Sequence, residues 1–472
     1  MPRVLGIDSS TQSTKIEVRD ADSGELVGRG HAPHPATTPP RSEQDPSAWW
    51  EALRAAIDSA GEAVRDVAAV ALAGQQHGMV VLDTDDQVIR PAKLWNDTES
   101  APDARWLIDQ LGGAAAWAAA CGSVPVAAFT ITKLSWLHRS EPDAWARLAR
   151  VCLPHDWLTW KLSGAFITDR GDASGTGYFS AAQEKYRLDL LAIVDDTADW
   201  APRLPRVLKP AERAGTTTAF GLDAIVAPGT GDNMAAAVAL ALQPGDVAVS
   251  LGTSGTVYAV SDSPTADAGG AVAGFADATG RYLPLVCTLN ATKVTDAIAR
   301  WLGVDHARLD SLALEAPPGA AGVVVVPYFD GERTPNRPDA SGTITGLRTG
   351  TTREQLARAA VEGVVCGLLD GLDALVSAGV RAGGDIVLVG GGARSAAFQR
   401  VLADLSGRPV VVPDASEHVA AGACAQAAAV LREHDVADVA AEWKLGRGST
   451  IEPDAGVDRY GVRASYTAAR GG

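Results

Sequence analysis

Cysteine is scarce and scattered. Cys121, Cys152, Cys287, Cys366 and Cys424 form no C-x-x-C pair and stand apart from the histidines. That pattern argues against a disulfide framework or a structural zinc site and fits a reducing compartment. No apolar run reaches membrane-spanning length; the Ala-rich stretch 235–242 is far too short. Met1-Pro2-Arg3 leads straight into a strand pattern without a signal-peptide signature, so a cytoplasmic location is expected. Positive charge is also in deficit, with 41 basic residues against 57 acidic ones and a formal net charge of −16. Such a field repels nucleic acid and anionic membranes, and neither is expected as a partner. It does not bar a nucleotide, because Mg2+ and local N–H dipoles reverse the potential within one site. Two nucleotide signatures are missing as well. No G-x-x-x-x-G-K-[ST] occurs, which excludes a P-loop enzyme, and no G-x-G-x-x-G follows the first strand.

What is present suits a folded protein, with 46% apolar and 21% charged residues over 472 positions. That length predicts two large domains. Alternating strand and helix patterns predict an α/β class. Val4 to Ile7, a polar turn from Asp8 to Lys15, and Ile16 to Arg19 read as a β-hairpin. Ser47 stands before Trp49, Trp50, Leu53 and Ile57, a helical spacing with a capping residue in front. Val67 to Ala73 reads as a buried strand that ends in Gly74-Gln75-Gln76-His77-Gly78. After a turn at Gln243-Pro244-Gly245-Asp246 the plan restarts. Strand Val247 to Leu251, a glycine turn and Val257 to Val260 echo the opening hairpin. The β-branched run Val323 to Val326 reads as a fully buried strand, and the spacing over 353–377 predicts a long amphipathic helix.

Several residues carry candidate chemistry, each beside a plainer reading. Asp232 follows Gly229-Thr230-Gly231 at the start of a helix predicted near Met234; it either caps that helix or accepts a hydroxyl proton. Asp8 ends the first strand, as a polar hairpin tip or as a ligand for Mg2+. Thr11, Lys15, Gly252 and Thr253 sit in turns able to hold phosphate oxygens. Gly390-Gly391-Gly392-Ala393 either lets a nucleotide approach the backbone or packs a strand tightly on a helix. His77 is an interior histidine or a sugar ligand with Gln76 beside it, and Trp95-Asn96-Asp97 is structural or presents an indole face to a sugar.

In this order the pieces resemble the FGGY family of carbohydrate kinases, within the actin-like ATPase superfamily. The resemblance spans about Val4 to Ala429. It is carried by Ser42-Glu43-Gln44-Asp45-Pro46 with Trp49-Trp50, Ala73 to Gly78, Leu94 to Asp97, and Phe129-Thr130 with Lys133-Leu134. It continues through Gly231-Asp232-Asn233, Ser250 to Gly255, Gly331 to Pro335 and Gly342 to Glu362. It implies two actin-like (ribonuclease H-like) domains with an interdomain cleft: 1–243 for sugar and catalytic base, 244–436 for nucleotide, and 437–472 as a tail. Closure would hinge near Gln243 to Asp246. The implied activity is ATP-dependent phosphorylation of D-xylulose to its 5-phosphate, with ATP and Mg2+ and with a homodimer as an admissible assembly.

The resemblance further implies Asp232 as catalytic base and Asp8 as support for Mg2+. Gln76, His77, Asn233 and Trp95 would contact sugar. Thr11, Lys15, Gly252 and Thr253 would face the phosphates, and Gly391, Gly392 and Ala393 the adenosine. Ser10 stands where the family often has glycine, and Gln76 where some xylulose-specific members carry methionine. Gln76-His77 also replaces an Arg-Glu loop of the glycerol-specific branch, which counts against glycerol. The alternatives are a sibling kinase for another ketose or polyol, such as ribulose, and a non-catalytic actin-like sensor.

Overall fold

The computed structural model describes residues 2–415 and 417–471. The chain forms two compact units, and neither is one continuous stretch. The first comprises Met1–Ala241, Asp262–Leu283 and Glu417–Leu445; the second comprises Leu242–Ser261, Pro284–Ser416 and Gly446–Gly472. Compared with the expected division at 243/244 and 436/437, residues 262–283 and 417–445 return to the first unit. The expected tail is also shared out. Helix Val436–Trp443 lies in the first unit, and strand Gly448–Ile451 with helix Arg459–Arg470 lies in the second.

In the first unit, β1 (Arg3–Ser9), β2 (Ser13–Asp20) and β3 (Leu26–Pro33) form an antiparallel meander. On its other edge β1 pairs in parallel with β4 (Val67–Gly74). The sheet is completed by β5 (Gly215–Thr217), β6 (Ala224–Val226) and the short β7 (Thr230–Gly231). β6 and β7 run parallel to β4, and β5 pairs antiparallel with β6. Valine, leucine and isoleucine on both faces of β1 and β4 are buried, because helices cover the sheet on each side. Helix Pro46–Ala60 packs on β2 and β3; helix His418–Arg432 packs on β1, β4 and helix Asp232–Ala239. Its alanines permit that close approach. A Cβ on Gly6 would lie 2.0 Å from Ala420 O, and one on Gly422 would lie 1.8 Å from Ala235 O.

The second unit repeats the plan. β8 (Val247–Leu251) and β9 (Gly255–Ala259) form a hairpin, and β10 (Tyr282–Thr288) adds antiparallel to β9. On the other edge of β8 lie parallel β11 (Ile386–Val389), then parallel β12 (Val410–Pro413), then antiparallel β13 (Gly448–Ile451). Strand order and sense therefore match from one unit to the other, as the echoed hairpin suggested. The predicted helix is Arg353–Ser377, opened by a reciprocal cap between Thr352 and Gln355.

Three local expectations are corrected. Asp45, not Ser47, caps helix Pro46–Ala60, with its carboxylate accepting the Ser47 N–H at 2.9 Å. Val324–Val326 joins no large sheet; it forms a two-stranded ribbon with Thr343–Thr345, its apolar side covered by helix Arg353–Ser377. The helix after Gly231 begins at Asp232 itself, with Gly231 at the cap position. Among the described residues no helix is long and apolar enough to cross a membrane.

Candidate active site

Parallel pairing brings three strand ends of the first unit into line. Asp8 and Thr230 both register with Ala73, and Ser9 and Gly231 both register with Gly74. Adjacent strands are spaced by about 4.8 Å, so the residues leaving β1, β4 and β7 emerge side by side. These are Asp8, then Gln75-Gln76-His77, then Asp232-Asn233. Gly231 is needed here, because a Cβ would stand 2.7 Å from the Gln76 side chain.

Asp232 is therefore not an N-cap. It opens the first turn of helix Asp232–Ala239, where the positive helix end favours its ionised form. Its Oδ1 accepts the Asn233 backbone N–H at 2.8 Å and the Asn233 Nδ2 at 2.9 Å; Oδ2 accepts no hydrogen bond among the described residues. Desolvation pushes the carboxyl up to about 6 against the pull of those two donors. Asn233 Nδ2 also donates to Gln76 Oε1 at 2.8 Å, and the buried Gln76 Nε2 finds no acceptor among the described residues.

Asp8 is buried, and its Oδ1 has no hydrogen-bond partner among the described residues. Burial first, then the charge of Asp232, pushes it up to about 8; Lys15 opposes the shift and Glu417 adds to it. Lys15 is the cross-strand neighbour of Asp8, and its Nζ donates to Glu417 at 2.9 Å. The neighbourhood is short of positive charge, and an orphaned carboxylate oxygen is the hard ligand that Mg2+ takes.

The turn beyond Asp8 is braced from two sides. Trp95 Nε1 donates to Thr11 Oγ1 at 2.8 Å, and Thr11 Oγ1 donates to Gln75 at 3.3 Å. Gln44 Nε2 holds the Thr11 carbonyl at 3.0 Å. Ser10 fits without strain, because its φ is not positive, and its hydroxyl donates to Ser13 O at 3.0 Å. Trp95 and Asp97 have parted company. Trp95 is 41% exposed and reaches the turn, whereas Asp97 is fully buried, accepting from Lys93 at 2.9 Å and from the Ser42 N–H. His77 has φ +66°, clusters with the rings of Phe129 and Phe275, and points Nδ1 at the Gly175 carbonyl at 2.8 Å, so that nitrogen carries a proton.

In the second unit the β8–β9 turn docks on a helix start: Gly252 O accepts from Thr292 N–H and Thr253 O from Ala291 N–H. Beside it, Gly390 has φ +90° and no room for a Cβ against the Leu251 backbone. A Cβ on Gly392 would meet Leu251 and Thr292, and Ala393 is buried; Gly391 faces open space.

Sequence reasoning missed a buried network beneath Asp232. His155, fully buried, places Nδ1 3.0 Å from Asp172 Oδ2 and 3.1 Å from Asp156 Oδ1; its Nε2 is 3.1 Å from the Pro228 carbonyl. Asp169 receives the Thr230 hydroxyl at 2.8 Å and the N–H groups of Gly171 and Asp172. The signal was present as Pro154-His155-Asp156 and Asp169 to Asp172, but Pro154 reads as a helix start and Gly171 to Phe179 as a glycine- and hydroxyl-rich loop. Lys133 was in view and is structural. Buried and desolvated to about 7, it donates to the Ala127, Ala128 and Phe129 carbonyls.

Two copies of one sheet plan, each opening on a hairpin with a polar turn, make this the actin-like ATPase fold. A carboxylate with one oriented oxygen and one open oxygen, next to a second buried acid with an unpartnered oxygen, suits phosphoryl transfer to a hydroxyl. The family's sequence profiles agree. FGGY family of carbohydrate kinases, N-terminal domain, matches residues 3–239, and its C-terminal domain matches residues 247–431. The chain belongs to the FGGY family of carbohydrate kinases. It is 49% identical to a xylulose kinase of Streptomyces coelicolor over 96% of this chain and 92% of that one. A second xylulose kinase, from Streptomyces rubiginosus, is 48% identical over the same shares. The crystal structure of xylulose kinase from Bifidobacterium adolescentis superposes with a TM-score of 0.87 at 42% identity, covering 100% of this chain and 99% of that one.

Proposed function

We propose that this chain transfers the γ-phosphoryl group of ATP to the terminal hydroxyl of D-xylulose, with Asp232 as general base. The observation that carries the mechanism is the asymmetry of Asp232: Asn233 fixes one oxygen and leaves the other open to a hydroxyl. The substrate reading is supported by the family and by relatives at 48–49% identity that carry the name xylulose kinase. Asn233 and Gln76 offer the sugar a paired amide surface, and the unsatisfied Gln76 Nε2 is a donor suited to a sugar oxygen. His77 and Trp95 flank the same strand ends.

Asp8 would hold Mg2+, which, when bound, neutralises charge on the phosphates. In the first unit the Thr11 turn and Lys15 would lie towards the phosphates. In the second, Gly252, Thr253, Gly391, Gly392 and Ala393 would present backbone to the nucleotide. Phosphoryl transfer runs through a loose transition state in which the acceptor proton moves late, so a base titrating near 6 is strong enough. Asp232→Asn tests the assignment: turnover of D-xylulose with ATP should fall by about 10³-fold while D-xylulose still binds. Parental turnover in that variant removes Asp232 from the mechanism, and phosphorylation of ribulose or glycerol but not D-xylulose overturns the substrate.

A further inference from the structure

The loop that delivers Asp232 is pinned at three successive residues by three different elements. His155, near the start of helix Pro154–Ser163, faces the Pro228 carbonyl; Gln426, from helix His418–Arg432, donates to the Gly229 carbonyl at 3.1 Å; Asp169 receives the Thr230 hydroxyl. Only the His155 anchor carries positive charge.

We propose that His155 is a positioning residue for the transfer: its imidazole, clamped by Asp172 and Asp156, holds the Pro228–Gly231 loop so that Asp232 meets the acceptor hydroxyl. The inference rests on Asp232 being the base. Nε2 faces a carbonyl, which only accepts, so it bears a proton. Nδ1 faces two acids at hydrogen-bond distance; burial pushes Asp172 up to about 7, and above that pH both are carboxylates that only accept, so Nδ1 bears a proton too. The ring is therefore an imidazolium, and the flanking carboxylates hold it well above the usual histidine range although burial pulls it down. Asp169 is the third acid close enough to act on this charge.

The fit is tight on both sides. A Cβ on Gly74 would stand 2.8 Å from His155 Cβ, and one on Gly229 would stand 2.7 Å from its Cδ2. The imidazole thus spans the gap between the end of β4 and the loop before Asp232. Asp156 Oδ1 and Asp172 Oδ1 are otherwise buried without hydrogen bonds, so the imidazolium is the counter-charge for this pocket of acids. Displacement of the loop by about 1 Å is enough to cost on the order of 100-fold in rate when it carries the reacting group.

The test uses the full chain with D-xylulose and ATP. His155→Gln, folded by circular dichroism, should lose about 100-fold in kcat while both KM values stay within about threefold. Asp172→Asn, which keeps the shape but drops the charge, should lose about tenfold. In 15N-histidine spectra at pH 8 the parent should show His155 with both ring nitrogens protonated, and Asp172→Asn should lose that signature.

A folded His155→Gln enzyme with parental kcat overturns the proposal. So does an unprotonated Nδ1 in the parent, or one equivalent of tightly bound metal in the purified protein that Asp172→Asn loses and Asp8→Asn keeps. If His155→Gln does not fold, the Asp172→Asn rate and the parent spectrum decide. Asp232→Asn separates the two readings. Parental turnover there fells both, whereas an inactive Asp232→Asn beside a fully active His155→Gln fells only this one.

Discussion

The two units repeat one sheet plan but not one chemistry. Aligning the last hairpin pairs, Ser9 with Thr14 and Leu251 with Gly255, sets Asp8 opposite Lys15 in the first unit against Ser250 opposite Thr256 in the second. The next strand ends in Gln75-Gln76-His77 in one and Gly390-Gly391-Gly392 in the other. One copy of the plan has filled its strand ends with acids and amides; the other has emptied them to bare backbone. Repetition of a fold fixes where chain ends emerge, and the side chains placed there decide what each end does.

The contrast breaks most sharply at Asp8. Asp8→Ser gives the first hairpin the hydroxyl of the second and should lower kcat by about 10²- to 10³-fold, with a weakened dependence on Mg2+. Parental kcat would mean that the acid is only a hairpin tip. The pH profile sharpens the same point. Asp232 must be ionised to accept a proton, and it titrates near 6 in the free protein. kcat/KM should therefore fall about tenfold per pH unit below that value; a flat profile down to pH 5 contradicts the base assignment.

The second unit makes a complementary prediction. Gly391 faces open space without a positive φ, whereas Gly390 has φ +90° and abuts the Leu251 backbone. Gly391→Val should leave Tm unchanged and raise KM for ATP about tenfold, with KM for D-xylulose unaltered. Gly390→Ala should instead lower stability by about 1–3 kcal/mol. An unchanged KM for ATP in Gly391→Val would show that the three glycines serve packing alone.

Much of this was legible in the sequence because it is local. Hairpin ends, glycine turns after buried strands and the 353–377 periodicity all lie within a few residues of their cause. The motif order then assigned chemistry to strand ends that the registers of β1, β4 and β7 bring together. What stayed hidden is contact across long sequence separation. The alanine-rich segment from 418 to 432 gives no hint that it crosses back to Gly6 and Ala235, because alanine and glycine signal close approach without naming a partner. The His155 network was missed for the same reason, since beyond its neighbour Asp156 its partners lie 17 and 73 residues away. The Val323–Val326 run misled because burial under a helix and burial within a sheet select the same β-branched residues.

The smallest expected effect concerns stability and has the opposite sign to the activity change at the same residue. Asp8 is buried, and its folded-state value of about 8 lies above the ordinary 3.8. An acid raised in this way favours folding only while protonated. Its unfavourable contribution appears as pH rises above the unfolded value and is complete above the folded one. At pH 7.5, without Mg2+, Asp8→Asn should therefore raise Tm by a few degrees, where about 1 kcal/mol corresponds to roughly 2–4 °C in a domain of this size. The gain should shrink as pH falls and vanish below about pH 3, where the parent carboxyl is protonated in both states. Added Mg2+ should stabilise the parent but not the variant, closing the gap from the other side. A loss of Tm at pH 7.5 would mean that the carboxylate is structurally satisfied in the free protein, and the first hairpin would then differ from the second in sequence only.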